Sequence, residues 1–223
     1  MIHIENLSKG FWVRDQYREV ISNLSLTIPA GRAIGLLGRN GAGKSTLLKM
    51  ISGRMQPSSG RIRVDGRLSW PVGGANSFHR DMTGLQNTRF LARVYGVDSD
   101  ALEAFVQDFA ELGRHYHMPL RSYSSGMKSR LAFGVAMGIP FDIYLIDEVT
   151  AVGDARFKRK SRAVFRARMA GAGAIMVSHS MAEMRTFCDS GMVLHEGRVE
   201  YYEDILVAIE RHESLMAGSA PVF

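Results

Sequence analysis

Apolar residues come in short runs near the start of this chain and at helical spacing in its middle. Leu24-Ser25-Leu26-Thr27-Ile28 alternates apolar and polar positions, the period of a half-buried strand. Pro29-Ala30-Gly31 then turns the chain into Ala33-Ile34-Gly35-Leu36-Leu37, an unbroken apolar run of the kind a covered strand carries. Beyond a glycine-rich loop, residues 46–51 predict a helix that stops near Gly53. Residues 61–66 and Leu68-Ser69-Trp70-Pro71-Val72 predict two more short strands. From about 76 to 138 the apolar spacing becomes three and four, as in 90–95 and 101–112, which predicts helices. Strands return at Ile143-Tyr144-Leu145-Ile146 and Ala174-Ile175-Met176-Val177, followed by a hairpin over 191–202 and a last helix over 204–215. Strands separated by helices predict an α/β fold around a mostly parallel, covered sheet. The expected organisation is one domain over 1–223, with an α/β core at 1–75 and 139–223 and a helical insert at about 76–138.

Composition narrows the classes. At 46% hydrophobic and 22% charged, the 223 residues suit a packed core and exclude a disordered or low-complexity chain. The formal charge of +6 suits an anionic ligand or membrane surface. One cysteine, Cys188, excludes an intrachain disulfide and suits a reducing compartment. The N-terminus lacks a basic and apolar targeting pattern, and the longest apolar stretch, 131–146, is broken by Pro140 and Asp142. The chain is expected to be soluble by itself, so any membrane role needs a partner.

The loop after the 33–37 strand carries the chemistry. Gly38-Arg39-Asn40-Gly41-Ala42-Gly43-Lys44-Ser45 fits the phosphate-loop pattern G-x-x-x-x-G-K-[ST] between a strand and a helix. Glycines let successive N–H groups curl around phosphates, and the following helix points its positive dipole end at them. Lys44 reaches the terminal phosphates of a nucleoside triphosphate, Ser45 ligates Mg2+, and Thr46 continues into the helix. The 143–146 strand ends in Asp147-Glu148, whose side chains alternate in direction. One acid can approach Mg2+ while the other orients or deprotonates an attacking water, the two roles phosphoryl transfer needs. The 174–177 strand delivers His179, which can hydrogen-bond a terminal phosphate or the water. In open α/β sheets ligands sit at the carboxyl ends of strands, where the loop, Asp147 and His179 all fall.

Two further segments have a plain reading and a sharper one. In Tyr123-Ser124-Ser125-Gly126-Met127, Ser124 or Ser125 caps a helix running to Gly138, or the same turn forms a second anion site. The basic stretch 155–169 reads as a solvated helix face with Phe157, Val164 and Phe165 turned inward, rather than as a lipid-binding surface.

Together these motifs resemble the ATP-binding cassette ATPases over about residues 2–202. The resemblance implies a P-loop NTPase (RecA-like) core with a mostly parallel sheet, a small antiparallel β-subdomain and an inserted α-helical subdomain. It implies ATP and Mg2+ as ligands. Ser124 and Gly126 match the serine and second glycine of that family's LSGGQ-like signature, while Tyr123, Ser125 and Met127 depart from it. Asp147 matches the Mg2+-associated aspartate, Glu148 the catalytic base, Asp154 the D-loop aspartate and His179 the switch histidine. Phe11 is the best match to the aromatic that stacks on adenine, with Trp12 and Tyr17 as rivals. The family's glutamine at the junction with the helical subdomain has no counterpart: Val72 or a glycine stands there, and Gln86 lies too far on.

Ser69-Trp70-Pro71-Val72, Asp81-Met82-Thr83-Gly84 and the segments around 123–134 and 147–154 resemble the ATPases of bacterial polysaccharide exporters, most closely the capsular type. Exporters of O-antigen and teichoic acid share much of that pattern. The resemblance implies a homodimer that sandwiches two ATPs, with Ser124, Ser125, Gly126 and Asp154 of one copy against the phosphate loop of the other. It also implies an integral membrane permease as partner, a polysaccharide handled through that permease, no nucleic acid, and a place at the cytoplasmic face of the inner membrane. The rival from another class is a cassette protein acting on nucleic acid or ribosomes. Such proteins usually join two cassettes or insert long coiled coils, and this chain has neither.

Overall fold

The computed structural model describes residues 1–72, 78–147 and 155–218. These form two compact units, one holding all the strands with three helices, the other holding the remaining four helices.

The first unit contains two sheets. Strands β1 (Ile2–Val13), β2 (Gln16–Ile28) and β4 (Ser59–Val64) form an antiparallel sheet in the order β2-β1-β4. The second sheet has five strands, β3 (Ala33–Leu37), β5 (Ile143–Asp147), β6 (Gly173–Val177), β7 (Ser190–His195) and β8 (Arg198–Tyr202). Their order is β5-β6-β3-β7-β8, parallel except for β8, which turns back on β7 as a hairpin. The expected α/β core and its accompanying antiparallel sheet are therefore present.

Helix α1 (Lys44–Ile51) supplies Leu47, Leu48, Met50 and Ile51 to a core shared with Ile2, Leu7, Ile21 and Ile28 of the antiparallel sheet and Ile34, Leu145 and Ile175 of the parallel one. Each such side chain contributes about 1.5–3 kcal/mol by leaving water. β3 and β6 are buried at every position, as covered parallel strands must be. Helices α6 (Met181–Phe187) and α7 (Ile205–Ala217) complete this unit, capped by Ser180 and Asp204.

The strand expected over 68–72 is not formed. Leu68 makes a single parallel bridge to Ile143, and the Ser69 amide donates to the Ile143 carbonyl at 2.9 Å. The ladder cannot go on because Pro71 has no amide hydrogen. The buried Ser69 hydroxyl takes the place of a ladder carbonyl, accepting from the Leu145 amide at 2.9 Å, and donates to the Trp70 carbonyl at 2.8 Å.

The second unit packs α2 (Gly84–Tyr95), α3 (Ser99–Ala110), α4 (Ser125–Gly138) and α5 (Ala155–Met169). Thr83 and Gln86 form a reciprocal capping box at the start of α2. Gln86 is thus committed to a helix cap. Phe109 of α3 stacks on Phe133 of α4 at 5.6 Å between ring centroids and meets Phe157 of α5 at 5.2 Å. A boundary at 138 leaves out α5, which joins this unit through Phe157 and through Lys160, paired with Glu111 at 3.0 Å. Phe157 and Phe165 are buried and Lys158, Arg159 and Arg162 between them are exposed, the solvated-face arrangement, while Lys160 turns back onto the unit. Among the described residues no helix is long and apolar enough to cross a membrane.

Candidate functional site

β3 carries the chain to the edge of the parallel sheet and releases it into the 38–43 loop, which feeds directly into α1. Two close approaches shape that loop. A Cβ on Gly38 would lie 2.6 Å from the Leu194 carbonyl oxygen, and one on Gly43 would lie 2.4 Å from Val20 Cγ1. Gly43 is the N-cap of α1 with φ at +112° and offers no side-chain cap, so the helix start presents backbone amides. The Lys44 ammonium folds back along the loop and donates to the carbonyls of Gly38 at 2.6 Å and Arg39 at 3.0 Å.

The parallel register brings the other groups to the same edge. Asp147 ends β5 opposite Val177, which ends β6, and β6 lies beside β3. His179 follows two residues after Val177. Its turn is fixed by Ser178, whose hydroxyl donates to Glu183 at 2.9 Å and accepts from the Ser180 amide at 3.0 Å. A cavity of about 260 Å³ opens between these elements. It is lined by Val20, Asn40, Gly41, Gly43, Lys44, Ser45, Thr46, Asp147, Val177 and His179. A second cavity of about 550 Å³ shares Val20, Asn40 and Gly41 with the first and adds Arg18, Glu19, Arg39, Ala42, His195, Glu196 and Gly197. The pair offers a smaller pocket with one ammonium, one carboxylate and one imidazole, beside a larger pocket lined by two guanidinium groups, two carboxylates and one imidazole.

The smaller cavity suits a polyphosphate with a hard divalent cation. The Ser45 hydroxyl and the Asp147 carboxylate are both oxygen donors on its wall. Among the described residues no cluster of three or more His, Cys, Asp or Glu could hold a metal, and Ser45 and Asp147 leave room for phosphate and water oxygens around an ion. That is the coordination Mg2+ prefers.

Of the sequence-predicted residues, Asn40, Gly41, Gly43, Lys44, Ser45, Thr46, Asp147 and His179 line the smaller cavity, Ala42 lines the larger one, and Gly38 accepts from Lys44. Phe11 is about one-third exposed on β1, opposite Arg18, with the Lys9 ammonium 5.1 Å from its ring centroid, and it lines neither cavity. Trp12 and Tyr17 pair edge-on with each other at 5.5 Å. Glu148 and Asp154 lie outside the described residues. Ser124 is the N-cap of α4 and accepts from the Met127 amide at 3.2 Å, with Ser125 and Gly126 in the first turn.

Sequence reasoning did not assign Val20, Arg18 or the 195–197 hairpin tip to the site, none of which carries a motif, nor Arg39, which stands at a variable position of the phosphate loop. It also missed the brace under His179, although Ser180-x-x-Glu183 is a capping pattern readable in the chain. His212 on α7, which lines neither cavity, has a buried Nδ1 with no hydrogen-bond partner among the described residues, and burial first, then the Lys44 charge, push its pKa down.

An ABC transporter family model matches residues 21–151. The chain is 44% identical over 216 residues to the polysialic acid transport ATP-binding protein KpsT of Escherichia coli, covering 96% of each chain. It is 43% identical over 215 residues to the capsule polysaccharide export ATP-binding protein CtrD of Neisseria meningitidis serogroup B, covering 96% of this chain and 100% of that one. A solved ATP-binding subunit of an ABC transporter superposes with a TM-score of 0.81 at 25% identity, covering 96% of this chain and 94% of that one.

Proposed function

The chain is an ATPase of the ABC transporter family, and from that premise we propose that it powers export of a capsular-type cell-surface polysaccharide across the bacterial inner membrane. The observation that carries this reading is the pairing of a complete phosphate loop with Asp147 and His179 around one cavity, in a chain nearly coextensive with two polysaccharide-export ATPases.

In this mechanism the amides at the start of α1 and the Lys44 ammonium hold the β- and γ-phosphates. Ser45 and Asp147 would hold Mg2+, which when bound would supply positive charge to offset that developing on the transferring phosphoryl group. Glu148 takes the proton of the attacking water, and His179, steadied by the Ser178–Glu183 brace, hydrogen-bonds the terminal phosphate. Adenine stacking falls to Phe11, whose cross-strand partner Arg18 lines the larger cavity. Two copies close on two ATPs, with Ser124, Ser125, Gly126 and Asp154 of each covering the phosphate loop of the other. Closure drives a separate integral membrane permease, which holds the chain at the cytoplasmic face of the inner membrane and conducts the polysaccharide.

Two experiments test the proposal. Purification of the tagged chain from its own cells should bring down a multi-span membrane protein, identified by mass spectrometry. Lys44→Ala should remove surface polysaccharide from those cells without removing the protein. Absence of any membrane partner, or salt-sensitive RNA binding in its place, would sink the exporter reading.

A further inference from the structure

The residue before the Ser124 cap is a tyrosine whose side chain is almost wholly inside the helical unit. Tyr123 is 5% exposed, and its hydroxyl donates to the His115 carbonyl at 2.7 Å. The backbone of Gly84, the first residue of α2, packs against the same hydroxyl. Gly84 and Tyr123 are complementary in shape: a Cβ on Gly84 would sit 2.5 Å from the Tyr123 hydroxyl and 2.9 Å from the Tyr116 ring. One phenol oxygen therefore joins three places, the turn that starts α4, the first turn of α2, and the 3-10 segment Gly113–His117.

The neighbouring backbone runs in the same direction. Thr83 bridges Pro119, the Leu120 amide donates to Met82 at 3.0 Å, and the Arg121 amide donates to Arg80 at 2.8 Å. Residues 119–121 are thus strapped to the approach to α2, and Tyr123 makes the last tie before Ser124. Beyond it the chain turns outward, and Ser124 and Ser125 are exposed. A buried aromatic anchor with a satisfied hydroxyl is a stiff mount for an exposed turn.

We propose that Tyr123 is a positioning residue for hydrolysis, its hydroxyl holding the Ser124–Gly126 turn in register with the start of α2 so that the turn meets the phosphates of the other copy. This rests on the reading of 124–126 as the signature that covers a second copy's ATP. The departure from the family's signature at this position is then functional: an aliphatic side chain fills space, whereas the phenol also fixes the turn's position through its hydrogen bond to the His115 carbonyl and its seat against Gly84. Misplacement by about an ångström can cost up to about 100-fold in rate, so loss of one of several ties is expected to cost roughly tenfold.

Tyr123→Phe keeps the ring and removes the hydroxyl. In the full chain it is expected to leave the thermal midpoint and the affinity for a fluorescent ATP analogue near wild type, because its own phosphate loop is untouched. Its kcat should fall roughly tenfold, with Ser124→Ala falling at least as far. Normal kcat in Tyr123→Phe beside an impaired Ser124→Ala overturns the positioning role and leaves the signature reading standing. Normal kcat in both removes the signature reading itself. Loss of kcat together with ATP affinity or with the folded state also counts against positioning, because it marks a purely structural residue. Gly84→Ala presses on the same hydroxyl from α2 and checks the idea independently: if folded, it too should lose kcat and keep ATP affinity, and an unchanged kcat overturns the proposal.

Discussion

Val20 closes over Gly43. The pairing of β1 with β2 steps from Lys9↔Ile21 to Gly10↔Glu19, so Val20 has no direct cross-strand partner and is released from the ladder. Its Cγ1 occupies the space where a Gly43 side chain would go, 2.4 Å from an ideal Cβ, and Gly43 holds φ at +112°. Gly43→Ala therefore incurs a collision and a backbone strain of about 1–3 kcal/mol. We expect ATP affinity to fall at least about tenfold by fluorescence titration. Val20→Ala in that background removes the collision and not the strain, so it should restore only part of the loss. Full restoration would show that the positive φ is dispensable.

Glu148 follows the last described residue of β5. Glu148→Gln keeps size and removes the base. It should leave ATP binding intact and slow turnover by roughly 10²–10⁴-fold, the usual contribution of a general base. Turnover near wild type in a coupled phosphate-release assay takes Glu148 out of that role.

Ser69 stitches the 68–72 segment to β5, the strand that ends in Asp147. Ser69→Ala leaves the buried Leu145 amide without its acceptor. The expected loss is about 1–3 kcal/mol in urea denaturation, with the m-value unchanged. A stability equal to wild type would mean that the amide finds another acceptor.

Cys188 gives a pH signature. Burial first, and then the Asp189 charge, push its thiol up to about 12 from an ordinary 9.0. The folded state thus favours the neutral thiol. That contribution is complete below pH 9 and is lost as pH rises from there through about 12. Tyr116 and Tyr123, both pushed up to about 12 chiefly by burial, add the same sign above pH 10. Wild type should lose thermal stability from pH 8 to pH 10.5 more steeply than Cys188→Ala, while the thiol reacts slowly with iodoacetamide in the folded protein. Parallel pH dependences in the two proteins would contradict the buried-thiol account.

How much was legible follows the range of the physics involved. The phosphate loop could be read because its glycines and lysine act within eight consecutive residues. The strands leading to Asp147 and His179 could be read because a covered parallel strand must be apolar at every position, and a polar residue at or just past its end stands out. The strand wrongly expected over 68–72 failed because alternation and β-branched residues speak for local preference, whereas Pro71 and the Ser69 hydroxyl decide which backbone groups actually pair. α5 reads as a helix from its own residues, but its packing against Phe109 depends on an aromatic about fifty residues away, which no local pattern reports.

By itself the amino-acid sequence determined the ligand class, the α/β class and the polar residues able to do the chemistry, because these rest on contiguous motifs and local periodicity. The tertiary structure alone decided which residues share a cavity. Parallel register sets Asp147 and His179 beside Lys44 and Ser45, and an irregularity in β2 sets Val20 over Gly43. A phenol at 123 reaches across the helical unit to Gly84. Each of these is a meeting of residues far apart in the chain, fixed by packing and hydrogen bonding that a linear pattern cannot encode.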